Sequence, residues 1–144
     1  MGKYHLRITG DVGCEVWQDI PGYEGIYQAS TYGRIKSLER VVVFNDGRKR
    51  TFPSKILRPG YRKKEKSLIV CFVRRPLLET KNLHRLIAIT FLPNPYNYPE
   101  INHIDENRLN NRIENLEWCS HLYNCNFGTR NERIWKTRRL NQKY

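Results

Sequence analysis

Over the first 80 residues, apolar positions come in short runs rich in β-branched and aromatic side chains: EVWQDI, GIYQAST, GRIKSLERVVVF, RKRTF and KSLIVCFVRR. Turn-forming stretches separate them at PGYEG, TYG, NDG and RPG, so the pattern predicts a small antiparallel β-sheet. VVVF and RKRTF flank Asn45-Asp46-Gly47, whose Asp-Gly supplies the positive φ of a hairpin turn. The second strand of that hairpin carries Arg48, Lys49 and Arg50 at its tip.

From Lys81 the period changes. Leu83, Leu86, Ile87 and Phe91 fall at helical spacing, Thr80 stands where a cap is wanted, and Pro93 and Pro95 stop the helix. NYPEINH then reads as a strand entering the polar loop IDENRLNNRIE, and ENLEWC as a second strand with Leu116 and Trp118 on one face. Ser120 is a suitable N-cap for a helix over HLYNCNF, and Gly128 a C-terminal stop. The tail TRNERIWKTRRLNQKY reads either as a helix docked through Trp135, with Arg130, Arg133, Lys136, Arg138 and Arg139 facing out, or as a frayed end. The fold class is α+β: a β-rich lobe over residues 1–80, a strand, loop, strand and helix unit with its leading helix over 81–127, and a basic tail over 128–144. No internal repeat or low-complexity segment is visible.

With 144 residues the chain allows one ordinary domain, or two small lobes sharing a core. No apolar run approaches the roughly 18 residues of a membrane span, and MGKYHLRITG has no apolar signal region, so a soluble, untargeted cytoplasmic protein with no membrane partner is expected. Cys14, Cys71, Cys119 and Cys125 form no C-x-x-C pair, which argues against structural zinc and for reduced, mostly buried thiols. The net charge of +12 points to a polyanionic partner. Its distribution is more informative: residues 1–80 carry 16 basic against 8 acidic groups and 128–144 carry 6 against 1, while 81–127 carry 4 against 5. A nearly neutral segment lies between two basic arms. In the first arm, Arg58, Arg62, Lys63, Lys64 and Lys66 cluster around a Pro-Gly turn with Tyr61 interleaved, and Arg34 and Lys36 lie upstream. Such a cluster is either a solvated loop or part of a twisted β-ribbon that enters a DNA groove.

The neutral segment contains INHIDENRLNNRIENLEWCSHLYN, residues 101–124. Its asparagines can serve turn chemistry alone. They also suit phosphodiester hydrolysis, which needs a base to activate water and a hard cation to offset charge on the phosphate. A neutral His103 can be the base, and side-chain oxygens of Asn102 beside it and of Asn124 facing it from a helix can hold the cation. His84 and Arg85 lie on the leading helix, where His84 reads as a hydrogen-bonded structural histidine.

NHIDENRLNNRIENLEWCSHLYN resembles the HNH, or His-Me finger, nuclease motif of phage and intron-encoded homing endonucleases. HRLIAITFLPNP is similar to the helix and Pro-rich turn that lead into that motif, and EVWQDIPGYEGIYQASTYGRIKSL to the nuclease-associated modular segment that precedes it. The resemblance implies a ββα-metal fold with His103 as general base, Asn102 and Asn124 as metal ligands, and Asn115 bracing the loop that orients the base. Asp105, Asn110 and Asn111 are expected to brace turns, and His121, first in its helix, is a lesser candidate for phosphate contact, as are His84, Arg85 and Asp105 for supporting roles. The implied cofactor is one divalent cation, Mg2+ or in its place Mn2+. The implied activity is nicking of double-stranded DNA by a monomer or homodimer, with Arg34, Lys36, Arg48, Lys49, Arg50, Arg58, Arg62, Lys63, Lys64, Arg130, Arg133, Lys136, Arg138 and Arg139 holding the duplex. Ending at Tyr144, the chain lacks the length for the C-terminal helix-turn-helix module of longer homing endonucleases, so extended target recognition is not expected. The competing readings are a DNA-binding protein with a lapsed nuclease site and a small basic RNA-binding protein.

Overall fold

A computed structural model describes residues 14–74 and 77–141. The chain runs through β1 (Trp17–Asp19), β2 (Tyr27–Ser30), β3 (Ile35–Ser37), β4 (Arg40–Val43), β5 (Lys49–Phe52), β6 (Lys55–Ile56), β7 (Gly60–Arg62), β8 (Ser67–Arg74) and β9 (Leu77–Asn82). There follow α1 (Leu83–Phe91), β10 (Glu100–His103), a 3-10 turn at Ile113–Asn115, β11 (Leu116–Cys119), α2 (His121–Asn126) and α3 (Arg130–Asn141). All strand pairs are antiparallel. They form a sheet in the order β1-β2-β3-β6, a three-stranded sheet β7-β8-β9, and the two-stranded ribbons β4-β5 and β10-β11.

The β4-β5 hairpin forms around Asn45-Asp46-Gly47 as the sequence predicts. Gly47 adopts φ +80° and its N–H donates to the Phe44 carbonyl at 2.9 Å, while the Asp46 carboxylate accepts from the Arg48 N–H at 3.1 Å. The basic cluster turns elsewhere than expected. Gly60 is already in β7, opposite Ile69, and the chain reverses over residues 63–66, where Lys66 takes φ +51°. Pairing of β7 with β8 brings the reversal to the lysines and leaves Pro59-Gly60 extended.

Thr80 does not cap α1. It lies in β9 opposite Cys71, because β9 pairs with β8 as far as Asn82, and Asn82 is the N-cap residue without a side-chain cap bond. The strand therefore runs through position 80, between the two segments read from composition. One hydrophobic core likewise joins them: Ile20, Tyr27, Ala29 and Ile35 from the first sheet, Val70 and Phe72 from β8, Leu83, Leu86 and Ile87 from α1, and Leu116 from β11. The Tyr27 and Phe72 rings stack at 4.0 Å. Each such side chain contributes roughly 1.5–3 kcal/mol of apolar burial, so α1 is fixed against both sheets and against β11.

The cysteines are free, but they are not mostly buried. Cys119 is buried, Cys125 is half-buried, and Cys14 and Cys71 are exposed, Cys71 because it falls on the outward face of β8 between buried Val70 and Phe72. Nor does α3 dock through Trp135, whose side chain is 62% exposed. The helix is tethered at its amino end instead: the Glu106 carboxylate accepts from the Thr129 N–H and hydroxyl, each at 2.8 Å, and pairs with Arg133 at 2.9 Å. No helix among the described residues is long and apolar enough to cross a membrane.

Candidate active site

β10 and β11 pair with Asn102 opposite Glu117 and His103 opposite Leu116. The Ser120 hydroxyl then accepts the Tyr123 N–H at 3.2 Å and starts α2, which places Asn124 one turn in. Between the strands, the loop is braced by buried Asn115. Its Oδ1 accepts the Asp105 N–H at 2.9 Å, and its Nδ2 donates to the Asp105 carboxylate and to the Asn110 carbonyl, each at 2.8 Å. Asp105 also accepts from the Asn110 amide and the Asn107 N–H, and the Asn110 bond is the first of the contacts holding its carboxyl below the ordinary range. Asn115 and Asp105 thus shape the loop and do not touch the His103 ring.

The partner of that ring is Asn111. His103 Nε2 lies 3.1 Å from Asn111 Oδ1, and Asn111 Nδ2 donates to the Leu109 carbonyl at 3.2 Å. A carbonyl only accepts, so the second bond fixes the amide with its oxygen toward the ring, and the ring must donate from Nε2. Nδ1 is left as the lone-pair nitrogen. Burial holds the His103 pKa below its usual 6.5, against the opposing effects of Asn111 and Asp105, so the ring is neutral at physiological pH.

His84 meets His103 edge to face at 5.4 Å. The sequence expects a hydrogen-bonded structural histidine, but His84 Nδ1 is buried with no hydrogen-bond partner among the described residues. Burial first, then the neighbouring His103, Arg85 and Arg108, lowers its pKa from 6.5 to about 4. The unfolded chain takes up this proton as pH falls below about 6.5, while the folded chain resists it until about 4. Stability is therefore expected to be full above that window and to fall through it on acidification. His84→Leu should flatten the fall in chemical denaturation measured across pH; an unchanged slope would mean that His84 protonates as readily folded as unfolded.

Asn102 is buried and donates through Nδ2 to Glu117 at 2.8 Å; Asn124 donates through Nδ2 to Glu100 at 2.5 Å. Glu100 also binds His121 Nδ1 at 2.6 Å, and its carboxyl is held below the ordinary range by Asn124 and His121. His121 is thereby engaged away from the cleft, with Nε2 against Cys125 Sγ at 3.4 Å. The described residues contain no group of three or more His, Cys, Asp or Glu side chains suited to a metal ion. The amide donor set still fits a hard cation, since both Nδ2 groups are occupied and both carbonyl oxygens are left for a ligand.

His84, Asn102, His103 and Asn124 line one cleft of about 550 Å³, together with Glu100 and Glu106. Arg85, Arg108, Arg130 and Arg133 stand around it. Arg85 is held by the Pro99 carbonyl at 3.1 Å and lies over the Trp118 ring; Arg108 donates to the Glu65 carbonyl at 2.7 Å. Of the expected DNA-binding residues, Arg130 and Arg133 reach the cleft, and Lys136, Arg138 and Arg139 continue along exposed α3. The others lie on the β-rich lobe: Arg34 is paired with Glu15, Lys36 lies 4.3 Å over Trp17, Arg48 pairs with Asp46, and Arg62 with Glu65. Lys49, Arg50, Arg58, Lys63 and Lys64 are exposed. Sequence reasoning missed Glu100, Glu106, Arg108 and Glu117, and gave Asn111 only a turn-bracing part.

Residues 81–125 match the HNH endonuclease family model, and residues 15–73 match the NUMOD4 motif. Residues 81–125 thus form an HNH endonuclease unit, preceded in the chain by a NUMOD4 motif. It is 59% identical over 39 residues to uncharacterized HNH endonuclease L245 of Acanthamoeba polyphaga mimivirus, a match covering 27% of this chain and 12% of that protein. Uncharacterized HNH endonuclease L247 of the same virus is 31% identical over 87% of this chain and 29% of its own length. DNA endonuclease I-HmuI of Bacillus phage SP01 is 30% identical over 75% of this chain and 54% of its own. A solved structure showing DNA binding and cleavage by I-HmuI superposes with a TM-score of 0.61 at 26% identity, covering 84% of this chain and 66% of that one. The chain thus spans about half or less of the length of these curated relatives. HNH nucleases in general depend on a divalent metal.

Proposed function

We propose that this HNH protein is a magnesium-dependent endonuclease that nicks double-stranded DNA, with His103 as general base. The observation that carries the reading is the tautomer set by Asn111: with Nε2 donating to Oδ1, a neutral Nδ1 is available in a cleft surrounded by arginines. Nδ1 would take a proton from water as the water oxygen attacks phosphorus, leaving a 5′-phosphate and a 3′-hydroxyl. Asn102 and Asn124 would hold the cation, Mg2+ or in its place Mn2+, which when bound offsets charge on the phosphate and the departing oxygen. Asn115 and Asn111 keep the loop and the ring in place, and Arg85, Arg108, Arg130 and Arg133 receive the phosphates flanking the scissile bond. Relaxation of supercoiled plasmid in magnesium, and none in excess chelator, is the test. Tight duplex binding with no nicking would favour a lapsed site, and preference for structured RNA over duplex would retire the DNA reading.

The basic helix α3 extends from the cleft with every described side chain from 130 to 139 exposed. Deleting residues 129–144 is expected to weaken binding to all duplex sequences alike and to reduce the salt dependence by about 0.9 in log–log slope per lost phosphate contact. Binding isotherms over a range of salt concentrations measure this, and an unchanged slope would remove α3 from the interface.

A further inference from the structure

Two neutral amides make a poor pair of ligands for a hard cation, because an amide oxygen attracts it less than a carboxylate does and an unrestrained amide can present its NH2 edge instead. The structure offers an answer on both counts, twice over and on separate elements. Asn102 on β10 stands directly opposite Glu117 on β11 and donates to it; Asn124 on α2 donates to Glu100 on β10. An ionised carboxylate accepts hydrogen bonds and donates none, so each pair admits one amide orientation, with Nδ2 toward the carboxylate and Oδ1 on the opposite edge.

We propose that Glu117 and Glu100 are positioning residues that turn the Asn102 and Asn124 carbonyl oxygens toward the cation and supply the negative charge those two ligands lack. The inference rests on the assignment of Asn102 and Asn124 as ligands made above. A carboxylate behind the NH2 group draws its protons and leaves the carbonyl oxygen more basic, the role that carboxylates play behind metal-bound histidines. The two acids are themselves anchored: Tyr123 donates its hydroxyl to Glu117 at 3.1 Å, and His121 Nδ1 lies 2.6 Å from Glu100. His121, the second histidine of the motif segment, thereby gains a place as a support of Glu100.

The test is Mn2+ affinity of the full chain, read from the free-ion electron paramagnetic resonance signal without substrate, with thermal unfolding followed on the same samples. Glu117→Ala and Glu100→Ala are each expected to weaken Mn2+ binding roughly 10–100-fold, the usual effect of losing a group that orients a ligand. Glu117→Gln should fall between wild type and Glu117→Ala, because its Oε1 can still accept the Asn102 amide while the charge is gone. A merely structural pair would shift the unfolding curve and leave the affinity alone. If either alanine variant fails to fold, Glu117→Gln and Glu100→Gln carry the test through the loss of charge. Wild-type affinity in the folded glutamate variants, with Asn102→Ala and Asn124→Ala binding weakly, would overturn the positioning roles and leave the ligands in place. Wild-type affinity in the two asparagine variants would overturn the ligand assignment and this inference with it.

Discussion

His103→Ala is expected to slow nicking on the order of 10²–10⁴-fold, the usual contribution of a general base, while duplex DNA binds as tightly as to the wild type. The two effects separate because the arginines proposed to receive phosphate are on other elements. Arg85 is on α1, Arg108 on the loop, and Arg130 and Arg133 on α3; Arg85, Arg108 and Arg133 are held by contacts that do not involve the imidazole. Removing the ring leaves Asn111 Oδ1 without its donor, but Asn111 keeps its bond to the Leu109 carbonyl and the loop keeps the Asn115 brace. Affinity and nicking rate measured on one preparation decide the matter. A mutant that nicks at the wild-type rate would remove His103 from the chemistry, and a mutant that loses affinity in step with rate would make it a binding residue.

Gly33→Ala is expected to reduce nicking by about 10–10²-fold from a position in the β-rich lobe, the order of loss that a displacement of about 1 Å in a reacting group produces. Gly33 has φ +81°, and a Cβ there would stand 2.6 Å from the Asn111 carbonyl oxygen and 2.7 Å from its carbon. Both are backbone atoms and cannot swing aside. The same turn holds the loop by a bond from the Ile113 N–H to the Thr31 carbonyl at 3.0 Å, with Arg112 over the Tyr32 ring at 4.2 Å. Pushing on Asn111 therefore moves the group that orients the base. Gly22→Ala is the matched control, since Gly22 has φ +83° and open space where its Cβ would go. It should lose roughly 1–2 kcal/mol through the left-handed backbone alone and nick normally. Equal nicking by the two variants would show that the turn and the base are not linked.

The parts of the candidate site that were legible in the sequence are those set by local structure. Asn102, His103, Asn115 and Asn124 lie within one strand, loop, strand and helix unit, and Ser120 marks the start of its helix by ordinary capping chemistry. The supporting residues depend on geometry that spacing does not carry. Glu117 acts on Asn102 only because the register sets them opposite, and a shift of one residue would send it to the other face. Asn111 reaches His103 because the loop is closed by Asn115 and lies so close to Gly33 of the β-rich lobe that a Cβ there would meet the Asn111 carbonyl. Arg108 is held by the Glu65 carbonyl, 43 positions away in the chain. The same limit applies to the fold. Asp46-Gly47 announces its hairpin, whereas β9 carries LLETKN, which lacks β-branched alternation, and is a strand through its pairing with β8. Trp135 has the look of an anchor, yet α3 is held at its amino end by Glu106, a loop residue at φ +59° whose carboxylate meets Thr129 and Arg133.

The most direct test of the mechanism is the rate of plasmid nicking at saturating magnesium, followed from about pH 5 to about pH 8, the range in which histidine titrates. A buried neutral His103 acting from Nδ1 must lose activity as it gains a proton, and burial holds its pKa below 6.5. The expected result is a flat rate above neutrality and a fall whose midpoint lies below pH 6.5. A rate indifferent to pH over that range, or one that rises as the medium becomes more acidic, would contradict it.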